Sequence, residues 1–190
     1  MRIALFGGTF NPIHEGHMAV AREALRKFEL DQLLIVPASI PPHKANSDLA
    51  PYGARLRMVE LASVGEPRIA ASTLEMDDVT SYSVKTIEKQ RARMQPGDRL
   101  FFLIGADAFA EIETWYQWRD VIASVEFIVV SRPGHEIQVP EGATAHRLET
   151  LQIDLSSSDI RAALRRGERP KGLPDKVYDF IRQRGLYGSS

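Results

Sequence analysis

The chain has no cysteine, so no disulfide braces the fold and any catalysis proceeds without a thiol. It has no surplus of one charge. Its 24 Lys and Arg stand against 25 Asp and Glu, a net charge of −1, which removes the basic excess expected of a nucleic-acid-binding protein. No apolar run approaches the roughly eighteen residues of a membrane span. The N-terminus reads as a strand rather than a charged-then-apolar leader, so a cytoplasmic location is expected, with neither membrane nor nucleic acid as partner. Two nucleotide signatures are missing as well, Gly-x-Gly-x-x-Gly and the P-loop pattern ending Gly-Lys-Ser/Thr, which argues against an NAD-dependent dehydrogenase and a P-loop kinase. There is no internal repeat, low-complexity tract or linker. With 190 residues, 44% of them hydrophobic, the chain predicts one domain around one sizeable core, with residues 188–190 as a frayed tail.

What is there begins at once. Arg2-Ile3-Ala4-Leu5-Phe6 is a β-prone apolar run closed by Gly7-Gly8, and after His17 a helical pattern places Met18, Ala21, Leu25 and Phe28 on one face. A glycine-rich turn between strand and helix lets backbone amides approach a ligand and aims a helix N-terminus at it, a geometry that suits phosphate. His14 and His17 are three apart at the mouth of that helix, so both imidazoles can face one anion. Each offers a ring N–H and, once protonated, positive charge. A solvated loop and half of a metal site are the alternatives, although no cysteine stands near as a further ligand.

Gln32-Leu33-Leu34-Ile35-Val36-Pro37 is a second apolar strand, and strand, helix, strand in this space makes a βαβ unit and hence a parallel sheet. The loop Ala38-Ser39-Ile40-Pro41-Pro42-His43-Lys44 lies at that strand's carboxyl end, where Lys44 meets either a phosphate or solvent. Residues 51–63 read as a helix with Met58, Leu61 and Ala62 on one face, and residues 68–71 as a third strand. Thr80, Ser81 and Ser83 are ordinary helix-start residues before a polar helix that ends short of Pro96-Gly97. Leu100-Phe101-Phe102-Leu103-Ile104, the most apolar strand, is expected to be central and runs into Gly105-Ala106-Asp107. There a glycine and a carboxylate can receive a nucleoside, or Asp107 can cap a helix. Both tryptophans fall in Trp115-Tyr116-Gln117-Trp118, which either packs a loop and the core or stacks on a flat heterocycle for about 0.5–2 kcal/mol. Residues 126–130 form a fifth strand, residues 132–145 a loop, and residues 147–153 a further extended segment. Leu155-Ser156-Ser157-Ser158-Asp159-Ile160-Arg161 opens a helix that ends at Gly167, leaving amides, hydroxyls and Arg161 for an anion or for a plain cap. Residues 174–186 form a terminal helix.

Gly7-Gly8-Thr9-Phe10-Asn11-Pro12-x-His14-x-Gly16-His17 resembles the signature of the His-x-Gly-His nucleotidyltransferases, in the long form found among bacterial nicotinate-nucleotide adenylyltransferases. The Pro-Pro-His-Lys loop, the Ser81-Tyr82-Ser83 segment and the Ser-Ser-Ser-x-Ile-Arg turn are similar to that family too, with Ser158 standing where the family usually has threonine and Leu155 where it has isoleucine. The resemblance implies a doubly wound, open parallel α/β sheet of Rossmann-like type, and adenylyl transfer from ATP to nicotinate mononucleotide with release of pyrophosphate. It implies that His14 and His17 act on the ATP phosphates, with His17 favoured for the group in transit. Gly7, Gly8, Thr9 and Phe10 would line the nucleotide, the last two as donors. Gly105 and Asp107 would face the adenosine. Ser156, Ser157 and Arg161 would hold the departing phosphates, with Mg²⁺ bridging them. Lys44, Tyr82, Ser83, Trp115 and Tyr116 would shape the acceptor site, and no metal is bound by the protein itself. A sister transferase acting on nicotinamide mononucleotide or phosphopantetheine, a non-catalytic ATP sensor and a histidine-metal hydrolase are the competing readings. The oligomeric state stays open, a homo-oligomer included.

Overall fold

The computed structural model describes residues 1–39, 49–134, 136–149 and 155–189. Six strands, β1 (Arg2–Gly8), β2 (Gln32–Pro37), β3 (Ile69–Ala71), β4 (Arg99–Gly105), β5 (Glu126–Ser131) and β6 (Thr144–Glu149), form one sheet in the order β3-β2-β1-β4-β5-β6. Every neighbouring pair is parallel. The helices are α1 (Glu15–Lys27), α2 (Tyr52–Ala62), α3 (Ser83–Arg91), α4 (Ala106–Ala110), α5 (Trp118–Ser124), α6 (Ser157–Arg165) and α7 (Asp175–Arg184). The expected doubly wound parallel sheet is the observed fold.

The strands are apolar on both sides because both faces are covered. Ala4, Leu33, Ile35, Phe101, Leu103, Ile128 and Leu148 pack with α1, α2, α6 and α7 in one core. Ile3, Leu5, Val36, Leu100, Phe102, Ile104, Phe127 and Val129 pack with α3, α4 and α5 in the other. Adjacent residues of a strand thus join opposite layers, as the two-residue period of a pleated strand requires.

The chain reverses its direction of winding between β1 and β4. Their pairing ends at Phe6 with Leu103, whereas β1 continues beside β2 to Gly8 with Pro37, and β4 continues beside β5 to Gly105 with Val130. The two central strands therefore part at their carboxyl ends, which is where open α/β sheets receive ligands.

Several boundaries differ from expectation. The first strand runs on through the glycine pair, because Gly7 and Gly8 still pair with β2. The sixth strand starts at Thr144, inside the stretch expected to be loop, since Thr144, Ala145 and His146 pair with Glu126, Phe127 and Ile128. Residues 150–154 lie outside the described residues. Helices α4 and α5, of 5 and 7 residues, are too short to print a 3.6-residue period. At the C-terminus Ser189 is only 2% exposed and its hydroxyl donates to the Leu186 carbonyl at 2.7 Å, where a frayed tail is expected. Among the described residues no helix is long and apolar enough to cross a membrane.

Phe101 is fully enclosed in the core that holds α1 to the sheet. Phe101→Ala should cost about 3–5 kcal/mol in urea unfolding, whereas Val79→Ala, at an exposed side chain, should stay within about 0.5 kcal/mol. Equal costs at the two sites would contradict this packing.

Candidate active site

The loop between β1 and α1 is held from three sides. Phe10 turns its backbone into the left-handed region (φ 47°) while its ring packs edge-on against Phe6 and His17, with centroids 5.4 and 5.1 Å away. A Cβ on Gly8 would stand 2.9 Å from that ring, so a larger residue there would have to displace Phe10. Arg161 Nη1 donates to the Asn11 carbonyl at 2.8 Å, and the Ser157 hydroxyl donates to the Pro12 carbonyl at 2.9 Å. The opening loop and the serine-arginine turn, 145–150 residues apart in sequence, thus touch directly. From the other side Arg55 Nη1 donates to the Thr9 carbonyl at 2.9 Å. The Asn11 side-chain oxygen accepts the Ala50 N–H at 3.0 Å and the Tyr187 hydroxyl at 2.7 Å, and burial pushes the ionisation of that phenol up.

His14 is the N-cap of α1 and 6% exposed; His17 is half-buried. Their rings stack with centroids 3.8 Å apart and planes inclined by 31°. The backbone N–H of His14 donates to His17 Nδ1 at 3.2 Å, so the neutral imidazole of His17 carries its proton on Nε2 and presents a fixed donor. Burial lowers the His14 pKa from 6.5 to about 4. Burial, reinforced by repulsion from His14, lowers that of His17 to about 3. Both rings are therefore neutral at pH 7. An anion lodged against them would favour the charged form and raise both values. His14 Nδ1 and Arg161 Nε are buried without a hydrogen-bond partner among the described residues, two polar atoms poised beside this loop.

A cavity of about 710 Å³ opens where β1 and β4 part. Gly7, Gly8, Thr9, Tyr82, Ser83, Gly105, Trp115 and Tyr116 all line it. Nothing stands within 4 Å of a Cβ placed on Gly105, so this strand end is open. Trp115 is half-buried, edge-on to Phe102 at 6.0 Å, and the exposed Tyr116 ring lies 4.7 Å from Tyr82. Phe10, His14, His17, Ser156, Ser157 and Arg161 are not among the described lining residues; they cluster at the loop that borders the cavity. Asp107 is exposed in the first turn of α4, whose N-cap is Gly105, so it neither caps that helix nor lines the cavity. Lys44 lies outside the described residues.

Other expectations are redistributed. Tyr82, rather than Thr80, Ser81 or Ser83, occupies the N-cap of α3, while Ser81, in the cavity wall, has a buried hydroxyl with no hydrogen-bond partner among the described residues. Ser156 does cap α6, accepting the Asp159 N–H at 3.1 Å. Sequence reasoning misses Arg55, Tyr187 and Glu75. Glu75 is a buried carboxylate in the cavity wall that accepts the Thr86 hydroxyl at 2.6 Å and the Ser39 N–H at 3.3 Å. Its place in the acidic run Glu75-Met76-Asp77-Asp78 reads as solvated surface. Among the described residues no group of three His, Cys, Asp or Glu side chains comes together to hold a metal.

A sheet of this strand order with a cavity at its switch point defines the doubly wound α/β class that receives nucleotides at its strand ends. Residues 5–163 match the cytidylyltransferase-like family. A Solibacter usitatus protein named "Probable nicotinate-nucleotide adenylyltransferase" is 53% identical over 98% of this chain and 100% of its own length. A Geobacillus thermodenitrificans protein of the same name is 38% identical over 99% of this chain and 87% of its own. The chain therefore belongs to the cytidylyltransferase-like family and, within it, to the nicotinate-nucleotide adenylyltransferases. Among solved structures, Plasmodium falciparum nicotinic acid mononucleotide adenylyltransferase complexed with NaAD shares the fold, with a TM-score of 0.81, 18% identity and coverage of 100% of this chain and 98% of that one.

The lowered histidine pKa values have a consequence for stability. Between about pH 6.5 and 4 the unfolded chain binds protons on His14 and His17 that the folded chain does not, so stability falls as pH falls through this window. In urea unfolding at pH 7 and pH 5, the doubly substituted His14→Ala, His17→Ala chain should lose less stability on acidification than the unaltered chain. Equal losses would contradict the assignment.

Proposed function

We propose that the chain transfers the adenylyl group of ATP to nicotinate mononucleotide. A phosphate oxygen of the mononucleotide attacks the α-phosphorus, the bond from that phosphorus to the oxygen bridging it to the β-phosphate breaks, and pyrophosphate leaves as nicotinate adenine dinucleotide forms. The attacking phosphate is already an anion at pH 7, so the protein supplies alignment and charge relief rather than a nucleophile. The observation that carries the reading is the contact of the opening loop with Ser157 and Arg161 beside the stacked His14 and His17.

In this reading the fixed Nε2–H of His17 meets the phosphoryl group in transit and His14 supports it. Negative charge from ATP raises the affinity of both imidazoles for protons, so positive charge develops where it is needed. The opening-loop amides at Thr9 and Phe10 face the phosphates. Ser156, Ser157 and Arg161 flank the departing pyrophosphate, and Mg²⁺ enters with ATP as part of the substrate. Gly7, Gly8 and Gly105 leave room for the nucleoside, and Asp107 sits at the rim on the adenosine side. Tyr82, Ser83, Trp115 and Tyr116 form the acceptor side, where Trp115 offers an aromatic surface to the pyridine ring.

Release of pyrophosphate from ATP with nicotinate mononucleotide, nicotinamide mononucleotide or phosphopantetheine as acceptor tests the proposal. The nicotinate compound should be the preferred acceptor, and His17→Ala should lower its turnover by roughly 10²–10³-fold without unfolding the protein. Release with none of the three, or near-normal turnover by the variant, would refute the assignment.

A further inference from the structure

We propose that Arg55 is a positioning residue for this reaction: by drawing the Thr9 carbonyl inward, it turns the Phe10 N–H outward toward the phosphates. The inference rests on the reaction proposed above.

Arg55 lies on the inward face of α2 with Met58, Val59 and Ala62 and is 1% exposed. A guanidinium so enclosed ordinarily meets a carboxylate. Among the described residues this one donates to none. Nη1 reaches the Thr9 carbonyl at 2.9 Å, Nη2 the Ser39 carbonyl at 2.9 Å, and Nε the Ala50 carbonyl at 3.0 Å. Its three acceptors belong to the exit of β1, the turn after β2 and the entry to α2. One side chain thereby ties together three segments around the mouth of the sheet.

The direction of these bonds matters more than their number. The Thr9–Phe10 peptide is trans, so its C=O and N–H point opposite ways. With the oxygen held by Arg55, the Phe10 N–H is aimed away from the protein interior. Ser157 does the same at the Pro12–Ile13 peptide, because it holds the Pro12 carbonyl and so turns the Ile13 N–H away from itself. Arg161 holds a third acceptor, the Asn11 carbonyl. These three backbone oxygens, which would repel an anion, are thus drawn aside. Phe10 needs this restraint because its left-handed backbone costs a non-glycine residue energy unless its surroundings determine it. Burial lowers the Arg55 pKa, yet arginine stays charged, so the site also keeps a positive charge behind the loop.

Arg55→Met keeps apolar bulk and removes every donor; Arg55→Lys keeps the charge but cannot hold three carbonyls in a plane. Each variant is assayed below its own Tm, and the Phe10 amide resonance is followed on ATP addition. Arg55→Met should lose about 10²-fold in kcat/KM for ATP and Arg55→Lys about 10-fold, and the ATP-dependent shift of the Phe10 amide seen in the unaltered chain should vanish in Arg55→Met. A purely structural role would lower Tm while leaving kcat/KM of the folded variants within about threefold and the amide shift intact; that result overturns the proposal. So does unfolding of both variants at the assay temperature, which would make Arg55 a stability residue. If the unaltered chain releases no pyrophosphate, the reaction is refuted instead, and the amide shift alone decides the role of Arg55.

Discussion

Two stretches of chain, 145–150 residues apart, hold each other at the carboxyl edge of the sheet: Arg161 and Ser157 grip the carbonyls of Asn11 and Pro12. The rest of the molecule serves to make that meeting reproducible. β1 delivers the opening loop from the middle of the sheet, and α6 packs Ile160 and Leu164 into the same core as α1. Hydrogen bonds from a charged donor such as Arg161 are about twice as strong as neutral ones, and the grip is backed on the opposite side by Arg55 and by Tyr187 on Asn11. A loop with a left-handed Phe10 stays in place because packing and polar contacts agree on one conformation.

Electrostatics at this edge are set by the burial of the two histidines. The two imidazoles are neutral at pH 7 because burial disfavours protonation of both and, at His17, repulsion from His14 adds to it. An anion held against the two rings would reverse that balance. The site thus carries no buried positive charge on either histidine at pH 7. The neighbouring cavity is walled differently, by Phe102, Ile104, Tyr82 and Trp115 together with polar side chains that include Thr9, Glu75, Ser81, Ser83 and Thr86.

Much of this is legible in the sequence, for physical reasons. β1, β2, β4 and β5 are buried on both faces and therefore appear as unbroken apolar runs between turn residues. The glycine pair and His14-x-Gly16-His17 mark a strand-to-helix turn, and the three serines mark the start of α6. What escapes is whatever depends on a partner distant in sequence. Arg55 falls on the apolar face of α2, but a charge in a helix reads as solvent-facing until the three carbonyls it meets are seen. Tyr187 sits in a tail of turn residues, and nothing local announces that its hydroxyl reaches Asn11. β6 lacks an apolar run because Thr144, His146, Arg147 and Glu149 interrupt it, as suits a strand at the sheet's edge. Ser157 and Arg161 are visible as polar residues at a helix start, yet only the fold tells that they bind backbone carbonyls of the opening loop.

The most direct test of the account is a crystal structure with a non-hydrolysable ATP analogue and nicotinate mononucleotide. The account predicts the triphosphate between the opening loop and the Ser157–Arg161 turn, within hydrogen-bond reach of His17 Nε2, with the pyridine ring in the cavity beside Trp115. A triphosphate bound elsewhere, or bound with these two segments moved apart, would contradict it.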